Sequence, residues 1–198
     1  GSGKTLVTAI SPSTHSIMDC NVGGYFGPYM KFAGFDALTV VGKAEEDVII
    51  VIDAVNGKIT IEKAPLESID SHKVCEELTE MYADDEAGKR HVTVVAAGRG
   101  ADHTNMGILN FSFYDWRRKF PRIKQAGRGG IGTVFRNKKI KAIVLKGKEV
   151  KPPWTIKENK VAKMVQPDEI PVQESKKEIE EIKNIVQKWD CDPEYVIE

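Results

Sequence analysis

Nowhere in this sequence do two cysteines stand close enough to share a metal. Cys20, Cys75 and Cys191 are its only thiols. Without a Cys-x-x-Cys pair the chain is not expected to build an iron–sulfur cluster or a zinc site by itself. Three scattered thiols also give no disulfide framework and point to a reducing cytoplasm. No apolar run approaches the ~20 residues of a membrane-spanning helix, so no membrane partner is expected. Gly1 to Thr5 leads straight into a strand-like run, which does not read as a signal peptide. Lysine plus arginine number 29 and aspartate plus glutamate 29, a net charge of +0. That balance offers no global attraction to nucleic acid. His15, His72, His91 and His103 are scattered. No Ser/His/Asp set or carboxylate pair stands out, so no catalytic and no metal-ligating residue is assigned.

The chain has a core and an unusual distribution of glycine. With 41% hydrophobic residues over 198 positions it supports one good-sized domain with an appendage. Strands are expected at about 4–10, 37–42, 48–52, 58–61, 92–97 and 140–146, with a further candidate at 108–114. Asn56-Gly57 between two alternating apolar runs signals a hairpin. A short helix is expected over 28–35, with Gly34 at its C-terminal end. A longer one is expected over 71–83, capped by Asp70 or Ser71, with Val74, Leu78 and Met81 as its apolar stripe. Strands dominate and helices are few, which favours an α+β fold. Pro152-Pro153 marks the end of a domain spanning 1–150. Residues 151–173, with four prolines, read as a linker. Residues 174–198 read as an amphipathic helical tail, with Ile179, Ile182, Ile185, Val186 and Trp189 on one face.

Two glycine clusters carry the functional signal. Residues 21–27 read Asn-Val-Gly-Gly-Tyr-Phe-Gly and residues 127–132 read Gly-Arg-Gly-Gly-Ile-Gly. Backbone without side chains, beside fixed positive charge, suits a phosphate-bearing cofactor. Two more familiar phosphate motifs fail on context. Gly1-Ser2-Gly3-Lys4-Thr5 imitates the end of a Walker A loop, but β-forming residues follow it where a helix is needed. Gly127, Gly129 and Gly132 satisfy G-x-G-x-x-G, but residues 121–126 are too polar for the buried strand a dinucleotide site requires. The basic run Arg117, Arg118, Lys119, Arg122, Lys124, Arg128, interleaved with Trp116 and Phe120, suits a solvated face or neutralisation of an anionic cofactor better than a nucleic-acid patch.

The stretch Asn21 to Asp36, followed by Val41-Gly42-Lys43-Ala44, resembles the N-terminal domain of the aldehyde ferredoxin oxidoreductases. So does Gln125 to Val134, followed by Lys139 to Gly147. The resemblance covers residues 1–150 and excludes the tail. It implies an α+β domain that cradles a bis-pterin cofactor, tungstopterin or molybdopterin, whose metal oxidises aldehydes to acids. It also implies electron transfer through a 4Fe-4S cluster to ferredoxin or another electron-transfer protein. The cluster belongs to domains that this sequence does not show, and the first β-rich part of the family domain is expected to be absent upstream of Lys4. Matching residue by residue, the resemblance implies cofactor contacts at Lys4, Asn21, Gly23, Lys124, Gln125 and Gly127; the bare backbone of Gly24 and Gly129 and the charge of Arg128 add these three as further candidate contacts. Lys4 stands where the family commonly has arginine, which keeps the charge and loses the bidentate fork. Lys124 and Gln125 replace a commoner Arg-Ala pair. The expected partners are the remaining domains or subunits of the oxidoreductase. The alternative is a cofactor-free scaffold or assembly module of an electron-transfer complex.

Overall fold

The computed structural model describes residues 3–147 apart from 66 and 68. The expected linker and tail helix lie outside the described residues. Two sheets organise the domain. β1 (Thr5–Ile10) and β2 (Ile17–Val22) form an antiparallel hairpin. Six further strands form a mixed sheet: β3 (Val48–Asp53), β4 (Lys58–Lys63), β5 (Val92–Ala96), β6 (Leu109–Asp115), β7 (Phe120–Ala126) and β8 (Ile140–Lys146). Their spatial order is β4-β3-β8-β5-β6-β7, with only the β3–β8 pair parallel. The helices are α1 (Phe26–Phe32), α2 (Ser71–Tyr82) and α3 (Ile131–Asn137). The fold is therefore α+β, as the strand-rich sequence implies.

The strand period of two explains the layering. In β3, Ile49 and Val51 face α2, while Ile50 and Ile52 face the opposite side. β5 and β8 divide the same way, with Val94 and Val144 on the α2 side and Val95 and Leu145 opposite. Both faces are covered, so these central strands read as nearly continuous apolar runs, interrupted at Thr93 and Lys141. α2 lays Val74, Cys75 and Leu78 on one face. Phe26 and Met30 of α1, Ile131 and Phe135 of α3, and Val22 of β2 cover the other.

Several expectations met their physical reasons here. The Asn56-Gly57 hairpin forms as a four-residue loop, 54–57, with Asp53 Oδ1 accepting the Val55 and Asn56 amides at 2.9 and 3.1 Å. Asp70 caps α2, accepting the His72 and Lys73 amides at 2.8 and 3.2 Å. Met81 is 52% exposed, because the buried arc centres on Ser71, Cys75 and Leu78 and leaves it at the margin. The short helix begins two residues earlier than expected. It ends as foreseen at Gly34, whose amide donates to Lys31 while that of Phe35 donates to Met30.

The strand expected at 37–42 does not form. Leu38 and Val40 lean on the core, Val41 is 86% exposed, and the segment runs extended without a ladder partner. Apolar alternation was real there, but it served loop packing. Residues 121–126, expected to be too polar for a buried strand, belong to β7, a strand that is mostly exposed. It is an edge strand, where Pro121 loses no ladder bond that matters and Arg122 and Lys124 discourage further pairing. The G-x-G-x-x-G thus does follow a strand and precede a helix. It still makes no dinucleotide site, because β7 runs antiparallel to β6 and β8 is not its neighbour.

Candidate functional site

The two glycine clusters come together along the seam where β2 runs beside β7. Gly23 and Gly24 follow the end of β2. A Cβ built at either meets nothing within 4 Å, and Gly24 adopts φ +107°, a conformation that side chains resist. Gly127 follows the end of β7, and its Cβ would also enter open space. These three positions offer bare backbone to an approaching ligand.

The rest of the second cluster has a different task. A Cβ at Gly129 would sit 2.8 Å from Met18 Cβ, one at Gly130 would overlap the Asn105 carbonyl oxygen, and one at Gly132 would overlap that of Ile108. Gly129 and Gly130 both hold positive φ, 70° and 67°. Gly130 opens α3, and the Gly132 amide donates to the Gly107 carbonyl at 2.9 Å. The demand for glycine at Gly129 therefore arises from the chain's own β1–β2 hairpin, before any ligand is considered.

The cations gather on the same side. Lys4 precedes β1, where Gly27 of α1 approaches so closely that a Cβ there would be 2.8 Å from Thr5 Oγ1. This contact sets Lys4 beside the first glycine cluster. Lys124 reaches it by another route. Its ammonium stands over the Phe113 ring, 5.9 Å from the centroid, and Phe113 meets Tyr25 edge-on at 5.5 Å. Asn21 projects from the outward face of β2, opposite Leu6, with Asp19 two residues away on that face. Arg128 is exposed between Gly127 and Gly129. Lys4, Lys124 and Arg128 have no carboxylate partner among the described residues. Gln125 is not brought into this group by its side chain. It pairs with Asn110, on the α2 side of the sheet, one step out of phase with Lys124.

Asn110 itself is a residue the sequence did not flag. Its amide nitrogen donates to Ser71 Oγ at 3.1 Å, and its buried Oδ1 has no partner among the described residues. Tyr25 and Phe113 were missed as well, although they form the aromatic link between the clusters. Cys75 is an unreactive core thiol: burial pushes it up to about 12. Among the described residues no group of His, Cys, Asp or Glu is arranged to hold a metal ion. None of their helices is long and apolar enough to cross a membrane.

The residues thus form an α+β platform with bare backbone along one seam, beside cations that have no carboxylate partner among the described residues. Comparison with known proteins fixes its kinship. The description "Aldehyde ferredoxin oxidoreductase, N-terminal domain" matches residues 1–147, and the chain belongs to the aldehyde ferredoxin oxidoreductase family. It is 35% identical over 150 residues to a tungsten-containing aldehyde ferredoxin oxidoreductase of Pyrococcus horikoshii, covering 73% of this chain and 22% of that protein. It is 36% identical over 152 residues to the Pyrococcus furiosus counterpart, covering 76% and 22%. Among solved structures it resembles a chain of the active-site complex BamBC of benzoyl coenzyme A reductase with 1,5-dienoyl-CoA. The TM-score is 0.59 and the identity 26%, over 74% of this chain and 20% of that one. The chain thus spans about a fifth of the length of the relatives it matches.

Proposed function

We propose that this domain cradles the pterin cofactor of a tungsten or molybdenum oxidoreductase, working in the cytoplasm with further domains or subunits that hold a 4Fe-4S cluster. The reading rests on one observation above the rest: Gly23, Gly24 and Gly127 leave open space where side chains would stand, beside three cations with no carboxylate partner among the described residues. That combination fits a large, flat, phosphate-bearing group. The bound metal cofactor would supply the redox step, aldehyde to acid, with electrons leaving for ferredoxin or a similar carrier. This chain's residues bind and orient. Lys4 and Lys124 offset phosphate charge, and Arg128 adds a guanidinium able to fork onto two oxygens. Asn21 provides a directional donor or acceptor. Gln125 contributes through its backbone, since its side chain faces away. No residue here acts as acid or base.

The test is metal loading of the protein carrying its remaining domains. Gly23→Val and Gly127→Val should fold and yet lose tungsten or molybdenum, because each places a branched side chain in the open seam. Lys4→Ala should weaken loading by about 1.5–3 kcal/mol, the worth of a hydrogen bond to a charged group, and Lys4→Arg should retain it. Lys63→Ala, whose ammonium pairs with Glu46 on the surface, is the control. Normal metal content in both glycine variants would refute the cradle and favour the cofactor-free assembly module.

A further inference from the structure

A second cationic site shares none of its cations with the seam. The 3-10 turn Arg99–His103 and the junction between α3 and β8 enclose a cleft of about 560 Å³. Four of its lining side chains are cationic, Lys43, Arg99, Arg136 and Lys139, against one carboxylate, Asp102. Among the described residues of that lining Ala101 is the sole apolar one, so the cleft is predominantly polar.

The charges do not cancel locally. Arg136 is buried and takes both nearby carboxylates, Asp102 through Nε at 3.1 Å and Asp47 through Nη2 at 3.0 Å. Lys43, Arg99 and Lys139 then have no carboxylate partner among the described residues. They come from three separate segments, each fixed by backbone bonds. Lys43 is held by its neighbours: Ala44 donates to the Lys138 carbonyl at 3.1 Å, and Lys138 Nζ returns to the Gly42 carbonyl at 2.9 Å. The Arg99 amide donates to Ile69 at 2.9 Å. Lys139 is in the left-handed region, φ 60°, which glycine or asparagine would occupy at less cost. A lysine held there keeps an ammonium at the rim of the cleft. The side-chain amides of Asn105 and Asn137 add two donors with no hydrogen-bond partner among the described residues. Like charges converging in a concavity repel one another and focus a positive field, and a bound polyanion relieves both.

We propose that this cleft binds a small molecule carrying two linked phosphate groups. The volume falls within the roughly 300–1,000 Å³ of small-ligand sites. One guanidinium fork from the Arg99 turn, with two ammonium groups from the adjoining segments around Lys43 and Lys139, matches a diphosphate better than a single carboxylate. Convergence within a concave space also distinguishes it from the β6–β7 hairpin tip, where Asp115 already takes Arg118 and Arg122 and the cations spread outward.

The probe is inorganic pyrophosphate, titrated calorimetrically into the 198-residue chain at low salt. One site per chain is expected, weakening as salt is added. Arg99→Gln and Lys139→Asn should each weaken binding about tenfold, the effect of one lost charged hydrogen bond. Lys139→Asn is the informative variant, since asparagine suits the left-handed backbone and the fold, checked by melting, should hold or improve. Lys63→Gln should leave binding unchanged. The proposal is overturned if 1 mM pyrophosphate gives no binding. It is equally overturned if binding survives both cleft variants or is lost instead on Lys124→Gln. Tighter binding of deca-glutamate than of pyrophosphate would assign the cleft to an acidic protein segment, and that too would overturn it.

Discussion

Arg136→Met should destabilise the domain by about 3 kcal/mol. The guanidinium is 8% exposed and ties three segments together. Its Nε and Nη2 donate to Asp102 at 3.1 and 3.2 Å, Nη2 donates to Asp47 at 3.0 Å, and Nη1 donates to the Ile140 carbonyl at 3.3 Å. Burial alone would favour its neutral form, yet the two carboxylates outweigh that and hold its pKa above the ordinary arginine value. Removing one member of a fully buried pair costs about 3–5 kcal/mol. The partners here are not fully buried: Asp47 and Asp102 are 37% and 30% exposed, so water partly replaces the guanidinium. That brings the ion-pair share to roughly 2 kcal/mol. The Ile140 carbonyl, in a buried residue, adds about 1 kcal/mol for a lost partner. For a domain of this size the melting temperature should fall by about 6–12 °C. Arg136→Lys, which keeps the charge and loses the fork, should fall between the two. Thermal and urea melts of the full chain supply the numbers. A loss below about 1 kcal/mol for Arg136→Met would show that the three segments are held by packing and that the ion-pair reasoning is wrong.

Gly132→Ala should be severe and Gly127→Ala silent, since the first Cβ would overlap the Ile108 carbonyl and the second meets nothing within 4 Å. We expect a loss of about 3 kcal/mol or more against a change within about 0.5 kcal/mol in melts. Asp70→Ala should cost about 1 kcal/mol by removing the cap of α2. The Lys73 and His72 amides hold the Asp70 carboxyl below its usual range, so its contribution is complete above the unfolded carboxylate pKa and lost as pH falls. The gap in melting temperature between wild type and Asp70→Ala should therefore close on acidification. Cys75, pushed up to about 12 by burial, should resist iodoacetamide at pH 8 in the folded chain and react on unfolding, while half-buried Cys20 reacts sooner, as peptide mass spectrometry would show.

Most of the sheet was legible because its central strands are buried on both faces. The runs at 48–52, 94–96 and 142–145 within them are apolar without interruption, and the Asn56-Gly57 turn fixes the hairpin between β3 and β4. Position in the sheet, which no local window contains, decided the failures. β7 carries Arg122 and Lys124 because it lies at an edge, and the same charges keep it from reading as a buried strand. β2, Ile-Met-Asp-Cys-Asn-Val, is not among the expected strands: Met18, Cys20 and Val22 turn inward, but the alternation is broken to the eye by Asp19 and Asn21 on the outward face. Residues 37–42 show the reverse error, where apolar alternation served a loop laid on the core.

The candidate site was legible as residue types and not as roles. Glycine is needed for two physical reasons, an approaching ligand or an approaching stretch of the same chain, and a sequence shows both as the same letter. The structure separates them. Gly23, Gly24 and Gly127 border open space, whereas Gly129, Gly130 and Gly132 are closed upon by Met18, Asn105 and Ile108. The division suits the proposed cradle. The closed half fixes the start of α3 and the path of the hairpin, so the open half would present its amides from a fixed frame with little ordering cost left for binding. The same reasoning explains Gln125 and Lys124. Adjacent in sequence, they fall on opposite faces of β7, and only the strand period, invisible until β7 was recognised as a strand, tells which of them can turn a side chain to the seam.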